Sequence, residues 1–481
     1  MANELHATSI VVLENNALNY LAPNGISGMQ LVNGSLNFTG SSEAVSVFDS
    51  LDFGSGLTID NPGILLTSGD ATLPRYNGVS NYGPSHSLPG DTDLDEVVQT
   101  AFDSVNGGFS TTTNDAAVLE FTLNRTNDTA KTLAVDIMFG SEEYPNYIDS
   151  FVDAGGVFIN GVNYAFFKAD PTLPLSVTSK NVESGSFIDN TNDTHSIEYN
   201  AISRTLTLFI PLADDQDTFD IKLAIADSGD HILDSGLFVS DIRTTTNAID
   251  GFYTSVKPLG TSDDVVSVGD DTATYFTSSA GLHSYTGSTQ ADVFDFTGGG
   301  FNTIKGTLEQ INGDQVFNFT NSSQLAVQDN LTADMITAEQ GSAIITIDKG
   351  DGNASTITFK GDYQNQSLLL SNNGQESVIT LYQASGADIG QGMELLVGAN
   401  FNPLVDKVIE TRLQTALDAG ASSMQIATVL AYYEEISQNE MFEGGLNPIF
   451  AIRDAVQTLI DNPVMPEGSA IIDIVGTSVG E

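Results

Sequence analysis

Two short loops concentrate acidic side chains, and they constrain the fold of this chain more than any other feature. Residues 141–145 read SEEYP, and residues 226–236 read ADSGDHILDSG. Each loop follows an apolar, β-prone run, residues 133–139 in the first case and residues 221–225 in the second. Carboxylates crowded at the ends of strands repel one another unless cations lie between them. The pattern therefore predicts a calcium-stabilised β-sandwich outside the cell.

Calcium is the cofactor that these loops predict. The ion takes about six to eight oxygen ligands from carboxylates, carbonyls and water in a flexible geometry. Gly229 allows the sharp turn that would gather the neighbouring carboxylates. The candidate ligands are Glu142, Glu143, Asp149, Asp153, Asp227, Asp230 and Asp234. The alternative interpretation is a pair of solvated loops whose Asp side chains form Asx turns.

Basic residues are scarce in this chain. Its 481 residues include 63 acidic side chains but only 15 Lys and Arg, so the formal net charge is −48. Nucleic acids and anionic membranes are bound largely through Lys and Arg, and neither is an expected partner. The charge favours a chain that meets divalent cations or stays soluble at high salt. The chain has no Cys, which excludes disulfides and Cys-ligated zinc.

The sequence also bears on membranes and export. It contains no apolar run of about 18 residues, which predicts that the chain does not insert into a membrane. Its first residues lack a basic segment followed by an apolar one, so a cleaved N-terminal secretory signal is not expected. Export would then need a different signal.

The chain divides into a mainly β body and a helical end. Residues 29–257 alternate short apolar runs with turn residues, which predicts an antiparallel β-sandwich of half-buried strands. A polar connector, residues 257–264, precedes a second β-rich domain at residues 265–396. Residues 401–481 carry apolar side chains at helical spacing, which predicts a small helical cap followed by a candidate secretion tail.

Residues 1–28 precede the sandwich as an N-terminal extension. Within them, residues 8–13 read TSIVVL, an uncharged β-prone run between polar residues. A strand of this kind can pair with a neighbouring subunit and build a homo-polymer. The alternative is that it forms the first strand of its own sandwich. Helical periodicity is weak before residue 400, so no helix is predicted there.

Four motifs together resemble a known family. They are residues 31–34 (LVNG), 63–69 (GILLTSG), 141–144 (SEEY) and 224–236 (AIADSGDHILDSG). In their order and spacing they resemble the choice-of-anchor L domain family over roughly the first half of the chain. The resemblance implies a bacterial secreted or cell-surface protein whose C-terminal region supplies varied anchoring or export devices. It implies little about molecular activity.

A second, weaker resemblance covers the middle of the chain. Residues 287–294 (GSTQADVF) are similar to the glycine-rich, Asp-bearing repeat of RTX proteins, with Ser288 and Gln290 where that repeat has Gly. Residues 347–361 are similar to segments near the ends of such proteins. This resemblance implies type I secretion, which reads a C-terminal signal. The closing residues 470–475 (AIIDIV) are compatible with such a tail.

The expected function is structural rather than catalytic. The features above predict an adhesive or matrix-forming protein of the bacterial surface or biofilm, stabilised by calcium and assembling into a fibre or layer. The alternative is a carbohydrate-binding module that recognises surface glycans, with Tyr144, Tyr147 and Tyr164 as candidate contacts. A glycoside hydrolase is disfavoured. Its two carboxylates must face each other, whereas adjacent strand residues such as Glu142 and Glu143 point to opposite faces.

Overall fold

The protein is described by a computed structural model, and it forms two compact units, Met1–Thr261 and Ser262–Glu481. The structure describes residues 4–256 apart from 79–81, 106 and 108–109, then 470–473 and most of 266–382. The gaps in this last stretch are 269–272, 279–281, 321, 340–343, 351, 353, 362, 364–366 and 373–375. The predicted connector at 257–264 and the predicted helices of 401–469 lie outside the described residues.

Unit 1 is built mainly of strands. Its strands are β1 (His6–Ala7), β2 (Met29–Leu31), β3 (Asn37–Thr39), β4 (Val45–Phe48), β5 (Leu51–Asp52), β6 (Thr58–Ile59), β7 (Gly63–Thr67), β8 (Thr113–Arg125), β9 (Thr132–Ser141), β10 (Ala154–Ile159), β11 (Val162–Asn163), β12 (Phe187–Asp189), β13 (Ala201–Ser203), β14 (Leu206–Pro211), β15 (Thr218–Ser228), β16 (Ser235–Thr245) and β17 (Tyr253–Val256). Its helices are α1 (Ile10–Leu21), α2 (Thr92–Val105) and α3 (Ser179–Glu183), with a 3-10 turn at Phe167–Ala169. None of the described helices is long and apolar enough to cross a membrane.

Two antiparallel sheets form a sandwich in unit 1. The first has the order β1-β4-β7-β16-β9-β13-β12, with β14 pairing with β9 and β17 pairing with β14. The second has the order β11-β10-β15-β8-β2, with β3 also pairing with β8. Alternate side chains of both sheets, such as Phe121, Ile137 and Leu223, share one buried core. The predicted mainly β fold with an antiparallel sandwich is therefore confirmed.

Further layers cover the outer faces of both sheets. Helix α2 packs its apolar stripe against Val118 and Phe158 on the second sheet. Side chains around β5 and β6 pack with Tyr199 against Met138 and Phe238 on the first sheet. Nearly every residue of β9 is buried as a result. The prediction of half-buried strands is wrong for β9, because this strand is covered on both sides and carries apolar side chains on both of its faces.

The predicted strand at residues 8–13 is also wrong, because this segment begins α1. The Ser9 hydroxyl accepts a hydrogen bond from the Val12 N–H at 3.3 Å and caps the helix. Leu13, Ala17 and Leu21 lie four residues apart, so they form one stripe on the helix, and all three are buried in the sandwich core. This burial outweighs the β-propensity of the run. While α1 is folded, these residues cannot act as a donated strand.

Unit 2 is also built of strands in its described part. They are β18 (Val266–Val268), β19 (Tyr275–Thr277), β20 (Leu282–Thr286), β21 (Val293–Asp295), β22 (Phe301–Gly306), β23 (Asp314–Phe317), β24 (Ser323–Val327), β25 (Ile336–Glu339), β26 (Ile344–Asp348), β27 (Ala354–Lys360), β28 (Ser367–Asn372), β29 (Ser377–Tyr382) and β30 (Ala470–Asp473), with 3-10 turns at Phe296–Gly298 and Ala333–Met335.

The strands of unit 2 wind as a coil. Strands β18, β20, β22 and β24 pair in parallel in one sheet, whereas β19, β21, β23 and β27 pair in parallel in the other. Successive strands therefore alternate between the sheets, and apolar side chains such as Phe294, Ile304 and Val316 fill the space between them. Antiparallel partners follow, and β30, part of the candidate secretion tail, pairs with β28.

Candidate functional site

Five of the seven predicted calcium ligands lie at one rim of the sandwich. Glu142 and Glu143 follow β9, Asp153 precedes β10, Asp227 lies near the end of β15, and Asp234 precedes β16. Strands β9 and β15 end at this rim while β10 and β16 begin there, so the two acidic loops become neighbours in space. We call these five residues the rim cluster. They include members from both sheets.

An irregularity in the second sheet shapes this rim. The register between β15 and β8 shifts between Ile225 and Asp227, and Asp115 on the facing strand has a φ of 48°. A shift of this kind adds a residue to one strand and re-aims the side chains beside it. Ala226, Asp227 and Ser228 lie at this irregularity and are all buried, as are the three residues before them.

The rim cluster is enclosed by protein. The relative exposure is 0% for Glu143, Asp153, Asp227 and Asp234 and 3% for Glu142. Both carboxylate oxygens of Glu143, Asp227 and Asp234 and one oxygen of Glu142 are buried without a hydrogen-bond donor in bonding geometry. No member pairs with Lys, Arg or His among the described residues. Enclosed carboxylates without partners are strongly unfavourable, so the cluster requires a compensating proton or cation.

Asp153 connects the two sheets at the rim. Its Oδ2 accepts a hydrogen bond from the Ser235 hydroxyl at 2.7 Å, and its Oδ1 accepts one from the Ser228 N–H at 3.0 Å. Ser228 ends β15 in the second sheet, whereas Ser235 begins β16 in the first. Burial nevertheless raises the pKa of Asp153 to about 8, because these hydrogen bonds offset only part of the desolvation.

Burial likewise raises the pKa of Glu142 and Asp234. For Glu142, burial and then the charge of Glu198 raise the pKa to about 8 against a hydrogen bond from Asn200. For Asp234, burial and then the charge of Asp153 raise the pKa to about 9. These carboxyl groups are therefore easier to protonate than ordinary ones, or easier to stabilise with a cation.

The pKa values of Glu143 and Asp227 are raised for the same reasons. Burial first and the charge of Asp153 second raise the pKa of both groups far above their usual range. The Ser68 hydroxyl lowers the pKa of Asp227 by too little to offset its burial. The common cause is that several carboxylates occupy one volume from which water is excluded.

Gly69 leaves the space that Asp234 occupies. A Cβ atom at residue 69 would overlap the Asp234 carboxylate. Ser68 holds this approach in place, because its N–H donates to the Ser235 carbonyl at 3.1 Å and its Oγ accepts from the Ser235 N–H at 3.0 Å. Only glycine therefore allows the end of β7 to lie directly against the rim cluster.

The other two predicted ligands, Asp149 and Asp230, lie outside the enclosed set. Oδ1 of Asp149 accepts a hydrogen bond from the Ser179 N–H at 2.7 Å at the start of α3, so this side chain binds a helix end. Asp230 is partly exposed. Its charge raises the pKa of Glu143 and Asp153, which places it at the margin of the cluster.

Asp115 is an enclosed carboxylate beside the cluster that was not predicted from the sequence. Its exposure is 1%, and it accepts hydrogen bonds from the Leu88 N–H at 2.5 Å, the His86 N–H at 3.1 Å and His231 Nδ1 at 2.9 Å. Burial opposes ionisation, but these hydrogen bonds prevail and lower the pKa of Asp115. Asp115 therefore fastens two loops to the start of β8. No local clustering of acids marks it in the sequence.

Glu198 is the second enclosed carboxylate that sequence analysis missed. Its exposure is 0%, and its Oε2 accepts a hydrogen bond from the Gly78 N–H at 3.3 Å. It lies in a polar segment, residues 189–200, with no other acid within four positions. Its proximity to Glu142 arises from the fold rather than from spacing along the chain.

The donor set of the rim cluster consists of carboxylate oxygens, which suit a hard cation such as calcium. Within the described part of the chain, however, no group of three or more His, Asp or Glu side chains is already arranged to hold a metal ion. Binding would therefore require these carboxylates to rotate toward a common centre. The attraction of a divalent ion provides a force in that direction.

Residues 11–242 match the model of the choice-of-anchor L domain family. The N-terminal half of the chain is a choice-of-anchor L domain. The resemblance drawn from four sequence motifs is confirmed for this half. The matched range contains all of α1 except Ile10, most of the sandwich and the whole rim cluster. Choice-of-anchor L membership points to a secreted or surface-anchored protein, whereas the RTX-like resemblance of the middle region stays a prediction.

Other comparisons add little to the choice-of-anchor L assignment. One similar solved structure is that of TmCBM27, a carbohydrate-binding module with specific mannan recognition. The identity is 10%, the match covers 49% of this chain and 93% of that chain, and the TM-score is 0.19. No curated protein matches the chain.

Proposed function

We propose that this protein is a structural component of the bacterial surface or extracellular matrix whose choice-of-anchor L domain is stabilised by calcium. One observation carries the proposal: the rim cluster encloses carboxylate oxygens of Glu142, Glu143, Asp227 and Asp234 that have no hydrogen-bond donor in bonding geometry, and no member of the cluster pairs with a basic side chain among the described residues. A divalent cation would supply the missing counter-charge without altering the fold. The scarcity of Lys and Arg, 15 in 481 residues, makes a protein cation a poor alternative.

The enclosure of the cluster supports a structural role over a catalytic one. Glu143, Asp227 and Asp234 are fully buried, so a substrate could not reach their carboxylates. A glycosidase needs an acid and a base or nucleophile that flank a bound sugar. An ion that enters during folding, in contrast, needs no open cleft. The cluster therefore suits a stabilising ion better than a reaction.

Calcium also gives export a mechanism. In a calcium-poor cytoplasm, the buried carboxyl groups would lack a counter-ion, and the cost of burying them would weaken the folded domain and keep the chain easier to thread through a secretion channel. Outside the cell, ion binding would add its binding free energy to folding. Folding would then be coupled to arrival outside the cell.

Thermal melting of the full chain tests this proposal. Calcium at about one hundred times its Kd should add about 2.7 kcal/mol to the unfolding free energy, which corresponds to a rise of roughly 5–10 °C for a domain of this size. The melting temperature should therefore be higher in CaCl2 than in chelator, and it should also differ from that in MgCl2 at equal ionic strength. Identical curves in all three would reject calcium stabilisation.

The finer parts of the function remain predictions. Adhesion and assembly into a fibre or biofilm matrix predict polymers in electron micrographs of the purified protein, in greater number with calcium than with chelator. Recognition of surface glycans predicts binding on a glycan array. Uniform single particles would reject assembly, and an array without binding would reject glycan recognition.

A further inference from the structure

We propose that Asp115 is a positioning residue that holds a covering segment, residues 82–90, over the rim cluster. Opening of this segment, which we call the strap, sets the rate at which calcium enters and leaves the cluster. The inference rests on the proposed calcium function and concerns the regulation of the same site. Asp115 acts on the route to the ion and is not itself one of its ligands.

The strap lies against the backbone on two sides of the Asp234 carboxylate. On one side, Gly83 packs so tightly on Leu233, the residue before Asp234, that an added Cβ would lie 2.1 Å from the Leu233 nitrogen. On the other side, His86 Nε2 donates a hydrogen bond to the Gly69 carbonyl at 2.8 Å. Gly69 is the residue that leaves room for the Asp234 carboxylate. The strap therefore spans the position of this carboxylate.

The strap is the outer layer at this part of the rim. All of its residues are half-buried or exposed, whereas Gly69, Leu233 and Asp234 beneath it are buried. The Tyr82 hydroxyl donates to the Asp70 carbonyl at 3.2 Å. Burial first, and then the charges of Asp70 and Asp234, raise the pKa of Tyr82, so its side chain lies close to the cluster. Movement of the strap would bring solvent to Asp234.

Asp115 attaches the strap through both of its carboxylate oxygens. Oδ1 accepts a hydrogen bond from the Leu88 N–H at 2.5 Å. Oδ2 accepts from the His86 N–H at 3.1 Å and from the Ser85 hydroxyl at 3.3 Å. The same Oδ2 accepts from His231 Nδ1 at 2.9 Å, in the second acidic loop. One enclosed carboxylate thus holds the strap and this loop together.

The attachment depends on side chains because the strap has little regular structure. Residues 82–88 belong to no helix or strand, so no continuous sheet ladder holds them in place. Segments with few backbone hydrogen bonds open locally at a lower free energy than the whole domain. A charged acceptor that is shared by several donors opposes such opening. Asp115 is therefore expected to control how often the strap opens.

Kinetics distinguish this role from that of a ligand. An ion enclosed by protein exchanges only when a covering segment moves. If the strap opens more often without touching the ion, entry and release become faster by the same factor, and the Kd stays unchanged. Loss of a ligand instead raises the Kd. The ratio of the two rates therefore separates a positioning residue from a binding one.

Stopped-flow mixing of the calcium-loaded full chain with a fluorescent chelator measures release, and mixing of the calcium-free chain with CaCl2 measures entry. Asp115→Asn keeps the side-chain shape and tolerates the φ of 48° at this position. Its amide nitrogen cannot accept the hydrogen bonds of one carboxylate oxygen. Release and entry should both become faster, on the order of tenfold, with an unchanged Kd.

A second variant tests the strap without changing any acid. In Gly83→Ala the added methyl group would overlap the Leu233 backbone and lift the strap, so release and entry should again become faster together. Asp128→Asn, at an exposed position before β9, is the matched control and should exchange calcium at the wild-type rates. Glu143→Gln should raise the Kd, as expected for a ligand.

The outcomes separate this inference from the proposed function. Wild-type rates in Asp115→Asn would overturn the role of Asp115, and wild-type rates in both variants would also overturn the role of the strap. A raised Kd with an unchanged entry rate in Asp115→Asn would make Asp115 part of the binding site and equally overturn the inference. In each of these cases the calcium proposal stands. If wild type binds no calcium, both ideas fail.

Discussion

The backbone N–H of Asp292 donates a hydrogen bond to the carboxylate of Asp314, 2.8 Å away on the next turn of the coil in unit 2. Asp292 repeats this contact one turn earlier, because its Oδ1 accepts from the Thr274 N–H at 2.7 Å. Both Asp side chains are fully buried. Two aspartates thus connect three successive turns of the coil, because each carboxylate accepts a hydrogen bond from a backbone N–H of the preceding turn.

This arrangement predicts that unit 2 loses stability as the pH rises from about 4 to about 9. Burial first, and then the charge of Asp292, raise the pKa of Asp314 from its ordinary 3.8 to about 9. Because the folded state holds the proton more tightly, the contribution of Asp314 is complete below about pH 4. It is then lost as the pH rises through 9. The loss should be on the order of a few kcal/mol.

Asp314→Asn tests this prediction, since an amide keeps the acceptor oxygen and cannot ionise. Chemical denaturation between pH 5 and pH 9.5 should show a falling stability for wild-type unit 2 and a flatter profile for the variant. Asp334→Asn, at an exposed position, is the matched control and should behave as wild type. Equal slopes for Asp314→Asn and wild type would show that Asp314 is not the titrating group.

Glu143→Gln should remove most of the stabilisation by calcium. The variant replaces an enclosed carboxylate without donors by a neutral group of the same shape. In chelator at pH 7 its melting temperature should stay close to that of wild type, because burial already favours the protonated form of Glu143. In calcium, the melting temperature of Glu143→Gln should be several degrees lower than that of wild type. A calcium-induced rise equal to that of wild type would exclude Glu143 as a ligand.

Gly69→Ala should displace Asp234 and weaken both the fold and the calcium response. The added methyl group would overlap the Asp234 carboxylate, and overpacking of this kind typically costs about 1–3 kcal/mol. Gly155→Ala is a milder comparison, since its Cβ would lie 3.3 Å from the Phe139 ring. Differential scanning calorimetry with and without calcium would measure both effects. An unchanged calcium response in Gly69→Ala would place the ion away from Asp234.

Leu13→Ala should destabilise unit 1 by about 2–5 kcal/mol, because it removes a side chain with 1% exposure from the sandwich core. Val11→Ala, two residues earlier at 67% exposure, should change the stability by no more than about 0.5 kcal/mol. Urea denaturation followed by circular dichroism would compare them. Similar effects at the two positions would contradict the packing of α1 described above.

The strands of unit 1 were predictable where apolar residues dominate a short run. The predicted run at 133–139 lies inside β9, the run at 221–225 lies inside β15, and residues 63–67 coincide with β7. In each case the side chains meet a core on both sides, so β-branched and apolar residues dominate the local composition. Local composition and tertiary environment agree in these strands.

The helices of unit 1 show where local composition misleads. In α1, the β-branched residues at 10–12 suggest a strand. Only the four-residue spacing of Leu13, Ala17 and Leu21 indicates a helix. In α2, the sequence does hold a helical stripe, namely Leu94, Val97, Val98, Ala101 and Phe102, following an Asp91 cap. Both helices could have been found by counting apolar spacing over three turns rather than over one.

The candidate site was predictable only in part, for a related reason. Crowding along the chain made four of the acids recognisable as candidate ligands, namely Glu142, Glu143, Asp227 and Asp234. Glu198 does not, since it reaches the rim through the fold, from a segment whose nearest acids are more than four positions away. Contacts between distant segments depend on sheet order and register, which single-sequence patterns do not contain.

The position of Asp153 between the two sheets has a mechanical consequence. Its carboxylate accepts hydrogen bonds from Ser228 on one sheet and from Ser235 on the other. An ion held there would therefore cross-link the two sheets. Tension applied across the sheets would have to pull carboxylates away from the ion before the layers could slide. Single-molecule pulling should then show a higher rupture force in calcium than in chelator. Under shear, the domain would resist mechanical unfolding better when its surroundings contain calcium.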